Sequence, residues 1–386
     1  MPIAANARLL VSMRDERIHL DVRTPFTTEL RRRVDAYFVD NGIDRDGGGR
    51  MVRKALFIFT WMMGSWAAFV WGGFSLPVNA LLAASMGFAM AGIGMAVQHD
   101  GGHAAFAGTK RGNRLSALSL DFLGASSYVW KVKHAHIHHT YPNIVGTDDD
   151  ISLEPLARMA PGQPRHWFHR FQHLYMWVLY GFIGLKWWVW DDYAQVASGK
   201  IGERKLNRPK GSEAFIFYGG KIIHGVWALL IPGLVVGWVP AIAFYVGAQL
   251  VMGVTLAVVF QLAHCVEEAT FVVPELYGGP LELDFSAHQL ETTVDFSQGN
   301  KLISWYVGGL NYQVEHHLFP RVCHLHYPAI APIIEQCCQD FGVPYKVAPS
   351  LGSALRSHYR WLRRLGREDL TENIARAPEA AMAEAA

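Results

Sequence analysis

Two long stretches without a charged side chain constrain the fold of this chain more than any other feature. The residues from Ala55 to Gln98 and from Ile222 to Val266 include no Asp, Glu, Lys or Arg. A membrane-spanning helix takes about 20 residues, so each stretch is long enough for two such helices joined by a tight turn. Gly and Pro near 74–77 and 238–240 mark these turns. The sequence therefore predicts four spans, at Ala55–Gly73, Val78–Gln98, Ile222–Trp238 and Ala241–His264.

The composition favours a membrane protein over a soluble one. Charged residues make up 18% of the chain and hydrophobic residues 51%, whereas soluble domains carry about 25% charged residues. The alternative, in which both apolar stretches are buried helical pairs of a soluble protein, explains this deficit less well. The net charge is only +2, and the basic residues lie beside the spans. They suit anionic lipid headgroups, and no nucleic-acid partner is expected.

The basic residues also predict the orientation of the chain. Three groups of basic residues flank the spans, whereas the two connecting turns carry none. Arg50, Arg53 and Lys54 precede the first span, and Lys110, Arg111 and Arg114 follow the second. Lys205, Arg208, Lys210 and Lys221 precede the third. The positive-inside rule then places the N-terminus, the middle segment and the C-terminal segment in the cytoplasm. Four cysteines without paired CxxC spacing are interpreted as reduced thiols.

These observations give a division of the chain into six segments. The predicted fold is an all-α integral membrane protein with four transmembrane helices in two hairpins. The segments are a cytosolic N-terminal segment at 1–54, a transmembrane hairpin at 55–98, a cytosolic cap segment at 99–221, a second hairpin at 222–266, a second cap segment at 267–374 and a disordered tail at 375–386.

Two further segments have a predicted relation to the membrane. Thr27–Val39 has the pattern of a short amphipathic helix that can lie on the membrane surface. Trp167–Trp190 is rich in aromatic residues but includes Arg, His and Lys, which favours an interfacial helix over a fifth span. The polar, Arg-rich N-terminal residues predict no cleavable signal peptide.

Four histidines lie within six positions of the segment Trp130–Asn143, WKVKHAHIHHTYPN. In an α-helix, His134 and His138 stand one turn apart on one face, and His139 is rotated by about 100°. One imidazole pair can then hold one cation while His139 reaches for a second. His136 points elsewhere and is interpreted as a surface or supporting ring.

Two more histidine clusters and one isolated histidine complete the set. One cluster follows the second predicted span, the other lies in the last third of the chain, and the isolated histidine ends the fourth span. His99 and His103 form an HxxxH pair with the spacing to bind one metal from one helical face. Gln313, His316 and His317 share a face of a predicted short helix that follows a close backbone turn at Gly308-Gly-Leu-Asn. His264 ends the fourth span, where a backbone-satisfied ring is the alternative to a ligand.

The remaining histidines are interpreted differently. His166, His169 and His173 share a face among aromatic residues, which favours the interfacial helix over a metal site. For His288, His324 and His326 both interpretations stay open. His19, His224 and His358 are expected to be structural or exposed.

Eight histidines from four separate segments therefore gather at one membrane face. Imidazole suits iron, copper, zinc and nickel, and eight rings exceed the ligands that one ion accommodates, so two ions are expected. The nearby carboxylates are placed to orient the rings as hydrogen-bond acceptors; they are Asp100, Asp148, Asp149, Asp150 and Glu315. A nitrogen-rich dinuclear centre beside a membrane suits dioxygen activation by iron on an apolar substrate.

These motifs resemble those of the membrane-bound fatty acid desaturases. The matching segments are HDGGH, WKVKHAHIHHTYPNIVGTDDDI, HQLETTVDF and GGLNYQVEHHLFP, and the resemblance covers most of residues 20–345. It implies a mushroom-like fold, in which four transmembrane helices lie beneath a cytosolic helical cap that holds a di-metal centre, with a narrow acyl tunnel. It further implies that this centre is a non-haem di-iron centre that uses dioxygen to insert a cis double bond into a fatty acyl chain. The implied ligands are His99, His103, His134, His138, His139, His264, His316 and His317.

The third histidine cluster departs from the commonest pattern of that family. It begins with Gln313 where many members have His, which is similar to the front-end desaturases, whose new double bond lies between an existing one and the carboxyl end. Gln313 and Asn311 are therefore candidates for a ligand or a supporting contact. Asp295 stands where the family resemblance predicts Asn.

The resemblance also predicts the partners. The chain has no HPGG motif of a fused haem domain, so a separate electron donor such as ferredoxin with its reductase is expected. The acyl substrate can be carried by coenzyme A, by a carrier protein or by a lipid. The alternatives are a di-iron hydroxylase or ketolase, and a histidine-rich metal-binding or transport protein, which would need polar residues within its spans. A zinc protease would need HExxH, which the sequence lacks.

Overall fold

The computed structural model describes residues 18–276 and 281–375, which are mostly helical as predicted. The predicted disordered tail lies outside the described residues, except for its first residue. The all-α expectation needs one correction, because the described part of the chain also contains three two-stranded sheets. These pair Ile18–Val22 with Leu281–Asp284 (parallel), Lys200–Ile201 with Arg204–Lys205 (antiparallel) and Asp295–Phe296 with Val347–Ala348 (parallel).

Among the described residues, four helices are long and apolar enough to cross a membrane. They are Gly48–Trp71, Leu76–Gly102, Ser212–Val236 and Trp238–His264, referred to below as the first to fourth spanning helices. The predicted starts of the first and third are wrong, since both helices begin before the uncharged stretch. A charged side chain does not interrupt the i→i−4 backbone hydrogen bonds, so the uncharged stretch marks apolar surroundings and not the helix boundary.

The second spanning helix packs against both the first and the fourth. The Trp61 indole on the first donates to the Ser85 hydroxyl on the second at 2.8 Å. A Cβ atom at Gly87 would lie 2.5 Å from the Ala248 carbonyl oxygen on the fourth, so these two backbones are in direct contact. Phe69 and Phe244 stack at 3.7 Å between the first and the fourth. The third joins them through Trp227, whose carbonyl accepts a hydrogen bond from the Trp66 indole at 3.0 Å, so all four helices contribute to one apolar core.

Lys221 does not flank the third spanning helix, as the sequence predicted, but lies buried inside it. Its ammonium group contacts the Asp192 carboxylate at 2.5 Å and donates to the carbonyls of Gly124 and Trp187. The side chains of Lys221 and Asp192 are only 4% and 6% exposed. The pair joins the segment between the second and third spanning helices to the third.

Replacing Lys221 by Ala should lower the free energy of unfolding by about 3–5 kcal/mol, because Asp192 would remain buried without a counter-charge. Chemical denaturation in mixed micelles measures this loss. The matched control is Lys186→Ala, which breaks the pair with Asp191 on a lysine side chain that is 53% exposed. That change should cost less than about 1 kcal/mol. Equal losses in both variants would contradict the prediction.

The remaining helices are shorter than the four spanning helices. Their order is Pro25–Asn41, Lys110–Ala117, Ser119–Phe122, Ser127–Trp130, the π-helix Lys131–His138, Asp149–Ile151, Trp167–Phe171, Gln172–Tyr180, Ile183–Lys186, the π-helix Trp187–Asp191, Asp192–Ser198, Pro274–Leu276, Phe285–Thr292, Lys301–Tyr306, Gln313–Leu318, His324–His326, Tyr327–Phe341 and Leu351–Leu365. Two of the spanning helices contain π-helical segments as well, at Ile93–Gln98 and Val226–Leu230.

The helix Pro25–Asn41 corrects the predicted membrane-surface helix at Thr27–Val39. Its apolar residues are buried in one cluster with residues of the helix Tyr327–Phe341 and with Val314; they are Phe26, Leu30, Val34 and Phe38. Burial of this face inside the protein leaves it unavailable to a membrane surface. The amphipathic pattern was recognised correctly, but its partner is another helix of the same chain.

The aromatic segment Trp167–Trp190 is divided among four short helices, and none of the described residues forms a fifth long span. It packs closely on the fourth spanning helix, where a Cβ atom at Gly253 would lie 2.5 Å from the Gly181 carbonyl oxygen. On its other side, Trp167, Val178 and Trp190 are exposed. Placement of this segment in the membrane interface remains a prediction.

Candidate metal centre

Five histidine rings from three segments of the chain converge on one buried point. One nitrogen of each ring lies within 4.8 Å of the corresponding nitrogens of the other four. All five side chains are buried. This five-histidine group consists of His99, His103, His134, His139 and His316.

Three further rings form a second group, the three-histidine group. The nitrogens of His138, His264 and His317 also lie within 4.8 Å of one another. The two groups are adjacent, since the ring centroids of His139 and His317 are 4.3 Å apart. The structure therefore brings together all eight histidines that the sequence analysis predicted, in two neighbouring groups.

The division of the second histidine cluster between these groups differs from the prediction. The sequence predicted an α-helix in which His134 and His138 share one cation. The segment is instead a π-helix, in which His139 N–H donates to the His134 carbonyl at 3.1 Å. Because a π-helix pairs residues five apart, His139 joins His134 in the five-histidine group. The ring of His138 still stacks on that of His134 at 5.1 Å, and the two also form a group with Asp150, but a nitrogen of His138 enters the three-histidine group.

The third histidine cluster forms the predicted short helix, Gln313–Leu318. Consecutive residues of a helix are rotated by about 100°. His316 consequently reaches the five-histidine group while His317 reaches the three-histidine group. The first cluster agrees fully with prediction, since His99 and His103 both enter the five-histidine group.

Several nitrogens of these rings are buried without any hydrogen-bond partner among residues 18–276 and 281–375. They are Nε2 of His103, His316 and His317 and both ring nitrogens of His139. Buried polar atoms are normally paired, so such a concentration needs an explanation. Burial and the neighbouring histidines lower the pKa of these four rings well below the usual value. The rings are therefore neutral at physiological pH, which is the form that binds a metal ion.

Two of the predicted carboxylates orient rings of the second cluster. Asp150 lies 3.3 Å from His134 Nδ1, and Asp148 lies 3.0 Å from His138 Nδ1. Burial lowers the pKa of His138, but the Asp148 carboxylate outweighs burial and raises it overall. When Nδ1–H donates to a carboxylate, Nε2 carries the lone pair that faces the group.

Three hydrogen-bond partners of the rings are not predicted by the sequence motifs. The Tyr327 hydroxyl lies 3.1 Å from His316 Nδ1, the Gln289 side-chain oxygen lies 2.8 Å from His317 Nδ1, and the Thr292 carbonyl lies 3.3 Å from His264 Nδ1. Gln289 and Thr292 belong to the segment HQLETTVDF, for which the sequence indicates a resemblance to the desaturase family but no contact with the histidines. No sequence pattern connected Tyr327 with the third cluster.

Asp100 does not support a histidine of the clusters, as had been predicted. Its carboxylate accepts a hydrogen bond from His324 Nδ1 at 2.8 Å, and the other nitrogen of His324 lies 2.9 Å from Lys54 Nζ. Cys323 lies nearby, but burial raises the pKa of its thiol far above the usual value. Both ring nitrogens of His324 are already engaged, which argues against another metal at this place.

Glu315 and Asn311 also have other partners than the histidine rings in the described structure. Glu315 accepts a hydrogen bond from the Tyr345 hydroxyl at 2.7 Å and adjoins Asp295, and burial with this second carboxyl raises its pKa well above the usual value. Asp295 accepts the backbone N–H of Val314 at 2.8 Å, which anchors the third cluster's helix. The Asn311 amide donates to the Ser304 hydroxyl at 3.1 Å.

Gln313 lies at the edge of the three-histidine group. Its carboxamide nitrogen is 3.1 Å from His264 Nε2, and its oxygen is buried without a partner in the described part of the chain. Oxygen and nitrogen of an amide are interchangeable by a rotation of the terminal group. Either orientation presents the carboxamide to this group, as a candidate ligand or supporting contact.

The other histidines belong to neither group. His169 bonds to the Pro155 carbonyl and His326 to the Asp46 carbonyl, and the pKa of buried His288 is lowered to about 4 by its burial. His224 and His358 are buried and hydrogen-bonded, which confirms their structural interpretation. Among the described residues, His166, His169 and His173 enter no metal-binding group.

Comparison with known proteins agrees with this geometry. The family model for the fatty acid desaturases matches residues 75–349. The chain is 38% identical to an acyl-lipid (8-3)-desaturase of Physcomitrium patens, over 88% of this chain and 72% of the relative. It is 35% identical to an sn-1 linoleoyl-lipid 6-desaturase of Synechocystis sp., over 91% of this chain and 98% of the relative. A protein of Arthrospira platensis with the same name is 37% identical, over 90% and 95%.

The clustered histidines and the sequence matches therefore indicate the same class of enzyme. The chain belongs to the fatty acid desaturase family, and it is a fatty acyl desaturase. The resemblance inferred from the histidine motifs is confirmed. Because the named relatives are desaturases, this activity is favoured over the hydroxylase, ketolase and transport alternatives.

Proposed function

We propose that the five-histidine and three-histidine groups each bind one iron ion and that the protein inserts a cis double bond into an acyl chain with dioxygen as co-substrate. The observation that carries this proposal is the convergence of eight buried rings with unpartnered nitrogens. Neutral imidazoles suit iron among other transition metals. Bound iron would supply the electrons that activate dioxygen for the removal of hydrogen from an unactivated methylene.

The protein's own residues hold the rings in the orientation that metal binding needs. Asp148 and Asp150 fix the protonated nitrogen of His138 and His134, and Gln289 accepts from His317. All of these groups except Asp150, whose side chain is 31% exposed, are buried, which limits the access of water to the site. Such outer contacts orient metal-binding rings and raise their affinity.

The proposed substrate is the acyl chain of a membrane lipid. Three relatives that cover about 90% of this chain are named as acyl-lipid or linoleoyl-lipid desaturases. Gln313 at the start of the third cluster supports front-end regiochemistry, in which the new bond lies on the carboxyl side of an existing one. Four apolar helices give the protein direct access to lipid from within a bilayer.

Expression in a host fed one defined unsaturated fatty acid tests this proposal. Mass spectrometry of the separated lipid and acyl-coenzyme A fractions locates each new double bond and its carrier. We expect a new bond on the carboxyl side, appearing first in intact lipids. A new bond on the methyl side would contradict the front-end assignment. First appearance of the product in the acyl-coenzyme A fraction would contradict a lipid carrier. A hydroxylated product would contradict desaturation itself.

The proposed electron donor is a separate protein, such as ferredoxin with its reductase. Removal of two hydrogen atoms from the acyl chain and reduction of one dioxygen to two waters require two electrons and two protons from outside the substrate. Reconstitution of the purified protein with ferredoxin, its reductase and NADPH should support turnover. Turnover with only a haem electron-transfer protein would contradict this choice of donor.

The proposed topology places both ends of the chain and the metal centre in the cytoplasm. The basic residues beside the spanning helices support this orientation through the positive-inside rule. Reporter domains inserted in the turn at 72–75 and after Glu368 should report opposite sides of the membrane. Reporters on the same side would contradict a pair of hairpins.

The role of Gln313 is tested by two substitutions. Gln313→His should retain iron better than Gln313→Ala, because His replaces the carboxamide by a ring nitrogen within reach of the three-histidine group. The measurement is iron per purified chain. Equal iron content in both variants would show that position 313 does not contact the metal.

A further inference from the structure

Asn143 is a completely buried residue between the elements that carry the three-histidine group. It follows the second histidine cluster and has a φ of 55°, in the left-handed region. Asn and Asp are the non-glycine residues that adopt this region most readily. The backbone conformation therefore restricts the residue type, but it does not distinguish Asn from Asp.

The side chain of Asn143 distinguishes them, since its amide donates to three carbonyl groups. Nδ2 lies 3.0 Å from the carbonyl of His264, 3.1 Å from that of Thr270 and 3.2 Å from that of Thr292. His264 ends the fourth spanning helix, where carbonyls lack helical partners. The Thr292 carbonyl also faces His264 Nδ1 at 3.3 Å, so Asn143 contacts both the backbone of His264 and the group that orients its ring.

The backbone of Asn143 reaches another histidine of the same group. Its N–H donates to Asp148 Oδ2 at 2.9 Å, and this carboxylate accepts a hydrogen bond from His138 Nδ1 at 3.0 Å. His138 and His264 come from segments separated by more than a hundred residues in the sequence. One buried residue thus connects the supports of two of the three histidines.

We infer that Asn143 is a positioning residue for the three-histidine site and fixes the separation of His138 and His264 for one metal ion. This inference rests on the proposed metal centre. Asp at the same position would keep the size and the backbone conformation but would lack the amide N–H donors. Its carboxylate would face three carbonyl oxygens, which separates the end of the fourth spanning helix from the second histidine cluster.

The experiment is an anaerobic Fe²⁺ titration of the full-length metal-free protein in detergent, with bound iron counted by elemental analysis. For Asn143→Asp we expect the Kd of one iron to rise about 10- to 100-fold, as is typical of a lost outer contact. The Kd of the other iron should change less than about threefold, well below that range. The matched control is Asn373→Asp, because the Asn373 amide also donates to two carbonyls, those of Glu267 and Ala269, but contacts no cluster histidine.

Selective loss of one iron in Asn143→Asp, with both retained in Asn373→Asp, would support the inference. Retention of both irons with the wild-type affinities would overturn it. If Asn143→Asp does not fold, Asn143→Ser, which keeps one donor, replaces it. Equal weakening of both irons, or failure of both variants to fold, would assign Asn143 a general folding role and also overturn the inference. If the wild-type protein bound no iron, the proposed metal centre itself would fail.

Discussion

Replacement of His138 or of His316 by Ala should abolish desaturation and lower the iron bound per chain. His138 belongs to the three-histidine group and His316 to the five-histidine group, so each variant should empty mainly its own group. The loss of iron from its own group should be larger for His138→Ala, because the three-histidine group then keeps only two rings. In that variant Asp148, which has no exposed side-chain surface, also loses its contact with the His138 ring. Product analysis and elemental analysis of the purified variants measure the two effects.

The matched control is His136→Ala, in the same π-helix. His136 is only half-buried and enters neither histidine group among the described residues. This variant should keep its iron and at least about half of its activity, as expected for a substitution outside the metal ligands. Retention of iron and activity in both His138→Ala and His316→Ala would refute the assignment of the centre.

Gly308→Ala should disrupt the metal centre although Gly308 carries no ligand. A Cβ atom at this position would lie 2.3 Å from the Met95 carbonyl oxygen and 2.8 Å from the Ala96 Cα atom. Residues 95 and 96 lie in the π-helical segment that leads to His99, and Gly308 leads to the helix of His316. The clash therefore separates the first histidine cluster from the third. We expect a loss of about 3 kcal/mol or more in stability, with strongly reduced iron content.

Gly299→Ala separates this steric effect from backbone strain. Gly299 has a φ of 80°, close to the 63° of Gly308, but a Cβ atom there would meet no other atom within 4 Å. Left-handed strain alone should cost about 1–2 kcal/mol and leave the iron content unchanged. Thermal unfolding and iron analysis compare the variants, and equal effects would show that contact with the second spanning helix is unimportant.

The predictions about the spanning helices succeeded or failed for identifiable reasons. A continuous apolar stretch shows that four helices lie in apolar surroundings, and all four were found. The start of the third helix was missed because Lys221 obtains a buried partner, Asp192, from a segment distant in the sequence. Likewise, the apolar face of Pro25–Asn41 was recognised, but a sequence pattern does not identify whether lipid or protein covers it.

The histidines show the same limit within the site. The three spaced clusters identified seven of the converging rings and the end of the fourth span identified His264, and nearness in the sequence to the second cluster identified Asp148 and Asp150 as supports. Asp100 is closer still, directly following His99 in the sequence, yet its carboxylate pairs with His324. A local pattern identifies candidate groups, whereas the choice of partner depends on which segments meet in space.

The sequence by itself determined the class of this protein, since uncharged length, histidine spacing and flanking residues are local properties of the chain. Only the tertiary structure decided how the eight rings divide into groups of five and three. The π-helix Lys131–His138 pairs His139 with His134, and the buried contacts of Asn143 connect His138 with His264. The physical reason is that hydrogen bonds between distant segments, together with a wider helical turn, set the directions of these rings, and neither follows from residue spacing.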